Sequence, residues 1–584
     1  MSAIETDVLV LGGGPAGAWA ALSAAAAGAR VVLADKGRCG ASGPTAAGVR
    51  ALWHLPPGLT RDPVVRRAGE LGGDPEWIDR MLDESYRQVE RLAGWGHGFP
   101  GVVGAMHVRL DGASYLRRLR CRAQSAGVRV LDHHPALQLL IDRDGVVAGA
   151  TGLHGHQTWT VRAGAVIVAT GGCAFRSGGA GTEPNTGDGL LFAAEAGAHL
   201  SGMEFSSAYE LAPVAGAPAL RFDKLYDESG AIFPDETAAF AALARGRRIH
   251  AAFADLPTPA RTWLARLRAV EPGGRVPLRP VLAGTVGGTG GLLLTAPECA
   301  TTVAGLYAAG AVASREVITG AAGGFDGPGG AWSIASGVWA GAGAARFARR
   351  RGTPAAAQPV PGAGLSARAR IDPQAVIGLV QEHTLPLRRS YWRCAGSLHD
   401  SITELDAMWP GAVFELGGSG ADRLRARQAA ALLAVARWTK YSALTRTESR
   451  GMHRRTDHPE AGPDQRLRLI SGGLDRVWVH AAEHPEAEPP LVRAAELPVP
   501  LGRRAGAWGE DVELVPGFRR AVAGQESVLA GPRGRESAAL GTFRRTPGQG
   551  SALAGAGGAQ AREAAGPRPA DTAGPADQAD AVAL

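Results

Sequence analysis

Near its start the chain alternates short apolar runs with glycine turns. Asp7 to Leu11 (DVLVL) and Arg30 to Ala34 (RVVLA) are continuous apolar runs of the kind that become buried parallel strands, and the alanine-rich stretch between them is long enough for one helix. The predicted order is strand, glycine turn, helix, strand. Further on, Val128 to Asp132, Gln138 to Asp142, Val146 to Gly152 and Thr158 to Val161 read as short strands, with Arg143-Asp144-Gly145 turning the chain between the second and third. They lead into a buried strand within Ala165 to Gly172 (AVIVATGG), and Asn185 to Gly189 (NTGDG) opens another helix.

The pattern becomes helical later. Residues 331–348 (AWSIASGVWAGAGAARFA) form one predicted helix, residues 351–370 are a Pro-, Ala- and Gly-rich linker, and about 371–448 is a helical region. Within it Leu424, Ala429, Leu432, Val435 and Trp438 share one face of a helix over Ala421 to Thr445. Residues 465–520 contain apolar runs such as Arg476 to His480 (RVWVH) that can pair as extra strands. Beyond about 530, Ala, Gly and Pro dominate without periodicity, which predicts a disordered tail.

Composition narrows the classes. A chain of 584 residues implies several domains, and 45% hydrophobic with 20% charged residues is that of a soluble globular protein. The formal charge of +7 comes from scattered arginines rather than basic blocks interleaved with aromatics, which speaks against nucleic acid as a partner. Cys39, Cys121, Cys173, Cys299 and Cys394 are dispersed, so no zinc or iron-sulfur site is expected, and odd, unpaired thiols fit a reducing compartment. Val8 to Ala29 carries no charge, but Gly12-Gly13-Gly14-Pro15 interrupts it and Glu5 and Asp7 precede it. Neither a membrane span nor a signal peptide is expected, and the predicted location is cytoplasmic.

The turn between the first two strands carries the chemistry. GGGPAG fits G-x-G-x-x-G as Gly12, Gly14 and Gly17: the first glycine permits the tight turn, the second lets backbone approach a pyrophosphate, and the third lets helix and strand pack closely. The helix start offers N–H groups and partial positive charge to phosphates. Asp35 ends the second strand, where a carboxylate can accept hydrogen bonds from ribose hydroxyls. With strand, helix, strand and acid in register, dinucleotide binding outweighs a merely structural turn. NAD and FAD share this fingerprint, and the later segments select FAD.

Those segments carry a resemblance to the flavoprotein subunits of the fumarate reductase and succinate dehydrogenase family, which also includes L-aspartate oxidase and the adenylylsulfate reductase alpha subunit. The matching pieces are GGGPAG, ATGG at 169–172, TGDG with MEF at 186–189 and 203–205, GLYAAG at 305–310, and RTESRGMHRRTDHP from Arg446 to Pro459. The implied fold is α/β, a Rossmann-like FAD-binding domain with an inserted small α+β capping domain and a C-terminal helical domain. The implied boundaries are 1–205 and 283–350 for the two parts of the FAD-binding domain, 206–282 for the cap, 351–370 for the linker, 371–460 for the helical domain, 461–530 for an extension and 531–584 for the tail.

By the same resemblance, Ser42, Gly43, Thr45 and Ala46 line the flavin, Thr170 and Gly171 the adenine side, and Asp188 with the turn ending at Gly310 the ribityl and pyrophosphate side. Pro15, Ala16 and Lys36 join them from the opening unit, and Gly330 and Ser333 from the loop and helix after Gly320, where backbone passes the pyrimidine edge of the ring. No histidine lies in 36–50, where relatives with covalent flavin have one, so non-covalent FAD is expected. Ala311 replaces the acid that usually follows GLYAAG, which removes one ribityl hydrogen bond.

The departures at the substrate side are larger. An F-H-P-T-type segment is replaced by Phe205, Ser206, Ser207, Ala208 and Tyr209; the histidine of H-Y-x-x-G-G falls at Ala283; and the arginine of G-A-N-R-L-G-G-N-S falls near Gly327. Without these cations and this acid, succinate, fumarate and aspartate are poor candidates. Glu204, Tyr209, Arg315 and Glu316, with Asp326, are the candidates to move a proton, and each has an ordinary structural role open to it. Arg450 and His453, one turn apart if the helix continues, can bind an anion or brace two domains; His97, His107, His133 and His134 are read as structural.

The expected activity is that of an FAD-dependent dehydrogenase or reductase acting on an unidentified small molecule. A ferredoxin-like or iron-sulfur protein is a candidate electron partner, because relatives use such partners and the chain has no cluster of its own. Two alternatives stay open: an oxidase or monooxygenase using O2, and a flavin-binding protein without turnover.

Overall fold

In the computed structural model, residues 3–58, 61–99, 102–103, 107–215, 222–256, 258–323, 328–462 and 467–482 are described. They fall within one compact unit, Met1–Val528. The expected tail at 531–584, most of the region 461–530, Asp326 and the position near Gly327 lie outside the described residues.

The chain opens with strand Ile4–Leu11 (β1), helix Pro15–Ala26 (α1) and strand Val31–Ala34 (β2). The uncharged stretch from Val8 to Ala29 is therefore a strand, a turn and a helix. Among the described residues no helix is long and apolar enough to cross a membrane. An outlying layer follows: strand Val49–Trp53 (β3), helices Asp62–Glu70 (α2) and Pro75–Gly94 (α3), strands Val102–Val103 (β4) and His107–Asp111 (β5), and helix Gly112–Ser125 (α4). Asp74 starts α3 because its carboxylate accepts the Glu76 N–H at 2.9 Å while Pro75 supplies a preset φ at the first helical position.

Strands Arg129–Leu131 (β6), Ala136–Ile141 (β7), Val147–His154 (β8) and Gln157–Val168 (β9) complete the main sheet with two later strands, Leu306–Ala308 (β15) and Gln358–Pro359 (β16). Its order is β16-β7-β8-β9-β1-β2-β6, with β15 also on β9. Thr158–Val161 and the following apolar run, expected as separate strands, are one strand of 12 residues. Its first half pairs antiparallel with β8 and its second half parallel with β1. Gly164 does not break it; the missing side chain admits Ala348, which an added Cβ would meet at 2.8 Å. The register sets Leu11 beside Ala34 and Val168, so the carboxyl ends of β1, β2 and β9 meet at one edge.

After that edge come helix Asp188–Glu195 (α5) and strand Leu200–Ser201 (β10). The segment expected as a cap then forms its own three-stranded antiparallel sheet from Ala208–Pro213 (β11), Ile249–Ala252 (β12) and Arg275–Ala283 (β13), in the order β11-β13-β12. With helices Glu236–Ala244 (α6) and Thr258–Arg266 (α7) it surrounds a separate apolar core that includes Leu211, Phe240, Leu264 and Leu278 and is completed by Leu387 and Tyr391. The chain returns through Gly284–Gly287 (α8), Gly291–Leu292 (β14), β15, Glu316–Thr319 (α9) and Pro328–Arg351 (α10). Helix α10 lies against α1, where Gly337 and Gly341 sit on the carbonyls of Ala16 and Ala20.

Helices Pro373–Thr384 (α11), Leu387–Ser390 (α12), Ala395–Phe414 (α13) and Gly420–Thr445 (α14) follow. Helix α14 is buried on nearly every side from Ala426 to Lys440, beyond the single apolar stripe that its sequence shows, because it runs through the interior. The linker segment is held down: β16 pairs with β7, and the Ala363 N–H donates to Glu195 Oε1 at 3.0 Å. The last described strands, Arg468–Gly472 (β17) and Trp478–Ala482 (β18), extend a small sheet in the order β14-β10-β17-β18.

Candidate functional site

A cavity lies where the carboxyl ends of β1, β2 and β9 meet. Its walls include Gly12, Gly13, Gly14, Pro15 and Ala16 from the first turn, Asp35 and Lys36 after β2, and Ser42, Gly43, Pro44 and Thr45 beyond them. Thr170, Gly171, Asn185 and Asp188 face these, and Gly310, Ala311 and Ser333 close the end. This is the topological position at which open α/β sheets bind dinucleotides.

The glycines divide into two kinds. Gly12 has φ +110° and an added Cβ would stand 2.3 Å from Ala169 O; a Cβ on Gly17 would stand 1.8 Å from Gly12 O. Gly17 therefore packs the turn and stays out of the cavity wall. An added Cβ on Gly14 or Gly43 meets nothing within 4 Å, so these two edge open space. That vacant margin, beside the N-terminus of α1, is the cradle a pyrophosphate requires. The Asp35 carboxylate is held in place by backbone: Oδ1 accepts the Gly37 N–H at 2.6 Å and Oδ2 that of Gly13, leaving further lone pairs for hydroxyls. Asn185 Oδ1 is buried without a hydrogen-bond partner among the described residues and adds an unused acceptor. The donor set, the open glycine margin and the acid fit FAD.

Not every expected cofactor residue reaches that wall. Ala46 packs toward the large core, and Gly330 abuts Leu52. Lys36 and Asp188 both line the cavity but pair with each other at 2.6 Å, and Lys36 also donates to Pro184 O and Thr186 Oγ1. Gly13, Pro44, His134, Pro135, Asn185 and Val286 line it too and were not foreseen. Gly13 and Asn185 sit inside quoted motifs and were within reach of the sequence. His134 had no local signal; its backbone N–H donates to Asp35 O at 2.7 Å through folding alone.

A second cavity of about 740 Å³ adjoins the first, sharing Pro44 and Val286. Its walls come from the cap (Tyr209, Leu211, Phe222, Phe233, Phe240), from Leu282 and Ala283 at the end of β13, and from Tyr391, Met452 and Arg454 of the C-terminal region. Ala283 and the Ser207-Ala208-Tyr209 run thus stand at this cavity, where the resemblance places a histidine and an F-H-P-T-type segment.

Of the proton-moving candidates among the described residues, only Tyr209 touches either cavity. Its hydroxyl donates away from it, to Leu385 O at 2.9 Å, and burial pushes the phenol's pKa up. Glu204 is fully buried and holds Arg446 at 2.8 Å; burial raises its carboxyl pKa against the pull of that guanidinium. Arg315 donates to Val286 O at 2.9 Å and to Gly288 O, and burial lowers its pKa to about 10. Glu316 faces Arg468 at 3.4 Å, yet burial raises its pKa to about 7. These three act as braces around the second cavity and do not face it.

The Arg446 to Pro459 segment explains the bracing. Helix α14 ends at Thr445, so Arg450 and His453 are not a helical pair but face each other across a tight turn. Arg450 pairs with Glu448 at 3.0 Å, and Glu448 also takes Arg446 at 2.8 Å. Arg393 donates to His453 Nδ1 at 2.6 Å; since a guanidinium only donates, the ring proton lies on Nε2, which reaches Arg446 O at 3.1 Å. Burial beside three arginines holds the His453 pKa well below its usual value. The turn delivers Met452 and Arg454 to the second cavity. Among the described residues no group of three or more His, Cys, Asp or Glu could hold a metal ion.

Residues 7–214 match the family model for an FAD binding domain, and residues 418–482 that for the fumarate reductase flavoprotein C-terminus. The chain is 33% identical over 233 residues to L-aspartate oxidase of Halobacterium salinarum, covering 35% of this chain and 45% of that protein. It is 31% identical over 233 residues to L-aspartate oxidase of Streptomyces coelicolor, covering 35% and 40%. The chain thus spans less than half the length of these relatives. Its fold is that of the E. coli quinol fumarate reductase flavoprotein (TM-score 0.69, 19% identity, 85% of this chain and 99% of that one). Mycobacterium smegmatis Sdh1 (0.68, 21%, 83% and 96%) and adenylylsulfate reductase of Archaeoglobus fulgidus (0.67, 17%, 84% and 97%) share it.

Proposed function

We propose that this chain, which resembles the fumarate reductase and succinate dehydrogenase flavoproteins and shares their fold, is an FAD-dependent oxidoreductase of a small molecule other than succinate, fumarate or aspartate. The single observation that carries the proposal is the adjacency of the two cavities: the cleft at the carboxyl ends of the strands shares Pro44 and Val286 with a roomy cavity lined by the cap. FAD held there supplies two-electron chemistry at its ring.

The chain's own part is binding. The first turn and the start of α1 receive the pyrophosphate, Asp35 the adenosine ribose, and Ser42 to Thr45 the ring end. Attachment is non-covalent in this reading: among the described residues the one histidine on the wall, His134, sits beside Asp35 at the adenosine end. The cap sheet and the Arg446 to Pro459 turn line the second cavity. Ala283 provides neither a proton nor charge where dicarboxylate chemistry needs both, which supports a different substrate. Electrons leave through a separate ferredoxin-like or iron-sulfur partner.

Anaerobic photoreduction followed by rapid mixing tests this. Reoxidation by ferredoxin faster than by air is expected, with no reoxidation by fumarate. Fast peroxide formation in air makes the chain an oxidase, and a flavin that exchanges electrons with no acceptor removes the enzyme reading.

A further inference from the structure

Two arginines line the second cavity, Arg50 and Arg454, and Arg50 is tied into the fold by donating to Pro44 O. Arg446, Arg455, Arg427 and Arg393 are buried and fixed by carboxylates or carbonyls. Arg454 differs. It is half-buried on the cavity wall, donates only a long hydrogen bond from Nη1 to Met452 O at 3.4 Å, and stacks 4.1 Å over the Tyr391 ring. Among the described residues no carboxylate pairs with it. An arginine planted on an aromatic face keeps its donor fork oriented, so little freedom is lost when a planar anion arrives.

Part of the remaining wall is aromatic, while Thr182, Ser207 and Glu210 keep other parts polar. Tyr209, Phe240 and Tyr391 form a cluster with ring centroids 4.9 to 6.2 Å apart, and Phe222, Phe233 and Leu211 extend it. Surfaces of this kind bury a ring or a bulky aliphatic group well and a short polar chain poorly. Asp223, Asp235 and Glu236 also edge the cavity, but all three are solvent-exposed, and Asp235 accepts the Ala238 N–H at 2.7 Å to start α6. Exposed carboxylates are screened and weaken a half-buried pair only slightly. Glu210, half-buried on the same wall, opposes a second carboxylate on the ligand.

We propose that the second cavity takes a monocarboxylate with an aromatic or bulky aliphatic body, its carboxylate paired with Arg454 and its body against Tyr209, Phe222, Phe233 and Phe240. The assignment names a ligand class for the cavity read above as the substrate site, and rests on that reading. Arg454 is a specificity residue here, one that selects a single anionic end.

Calorimetric titration of the flavin-loaded protein tests it with three probes: 3-phenylpropionate, its neutral amide 3-phenylpropanamide, and succinate. The acid binds roughly tenfold or more tightly than the amide, as a hydrogen bond between charged groups implies, and also more tightly than succinate. Arg454→Met removes the difference between acid and amide and leaves amide affinity unchanged. Equal binding of acid and amide, tighter binding of succinate, or binding of none of the three overturns the proposal. If the variant loses its flavin or its cooperative melting, the wild-type comparison of acid with amide decides alone. The two readings also fail separately. Selective acid binding by a protein whose flavin exchanges no electrons preserves the ligand class and removes the enzyme; electron exchange without selectivity does the reverse.

Discussion

At the scale of single residues, Gly14 and Gly17 occupy one motif but answer to different constraints. Gly14 has φ −71° and an added Cβ meets nothing, so Gly14→Ala leaves the apoprotein's melting temperature unchanged and weakens FAD retention, because the methyl group stands where phosphate must approach. Gly17→Ala drives a Cβ onto Gly12 O and lowers the melting temperature of the apoprotein itself. Thermal melts with and without added FAD separate the two. The spacing alone announced both glycines, and the role assigned to each in the sequence is consistent with where it stands.

Glu316 belongs to the same scale. Burial raises its pKa from 4.5 to about 7, and among the described residues Oε2 makes no hydrogen bond, only the 3.4 Å ion-pair contact with Arg468. A carboxyl whose folded pKa is raised keeps its proton in the native state, so its contribution to stability is fully present below about pH 4.5 and is lost as pH rises through about 7. Glu316→Gln is therefore expected to melt higher than wild type at pH 8, with the gain vanishing near pH 5. A gain independent of pH contradicts the buried, protonated carboxyl. Sequence patterning cannot show this, since it depends on Glu204, Arg446 and Arg468 arriving from three distant segments.

At the scale of elements, the helical region and the cofactor domain share one core, and a buried ion pair joins them. Arg427 in α14 donates from Nη1 to Glu195 Oε1 of α5 at 2.6 Å, and from Nε to Leu137 O at 2.9 Å. Their side chains are 2% and 1% exposed. Removing one partner strands a charge, so Arg427→Met costs about 3–5 kcal/mol in a denaturant titration. Arg427→Met with Glu195→Gln recovers most of it; a double variant as unstable as the single one contradicts a charge penalty. The apolar periodicity of α14 was legible, as were β1, β2 and the helix at 331–348. Helices α3 and α4 and the sheet of β3, β4 and β5 carried no motif. The length of β9 was hidden by Gly164, which reads as a break and is in fact a contact for Ala348.

At the scale of the molecule, the cofactor cleft was legible and the second cavity was not, for a physical reason. Dinucleotide recognition uses backbone within one contiguous βαβ unit, and the motif marks it. The second cavity is assembled from residues near 44, 209, 240, 283, 391 and 454, whose proximity exists only after the cap and the C-terminal turn come together. The missing histidine at Ala283 told what the cavity lacks. The guanidinium of Arg454 and its aromatic neighbours, which tell what it offers, became visible only in the fold.

Acid precipitation of the purified protein tests most directly whether the cleft holds FAD. One FAD per chain is expected in the supernatant, with full recovery of the bound flavin spectrum when the apoprotein is mixed with FAD but not with FMN or NAD. Flavin retained on the precipitated protein contradicts non-covalent attachment. An apoprotein that takes up NAD in place of FAD contradicts the central claim.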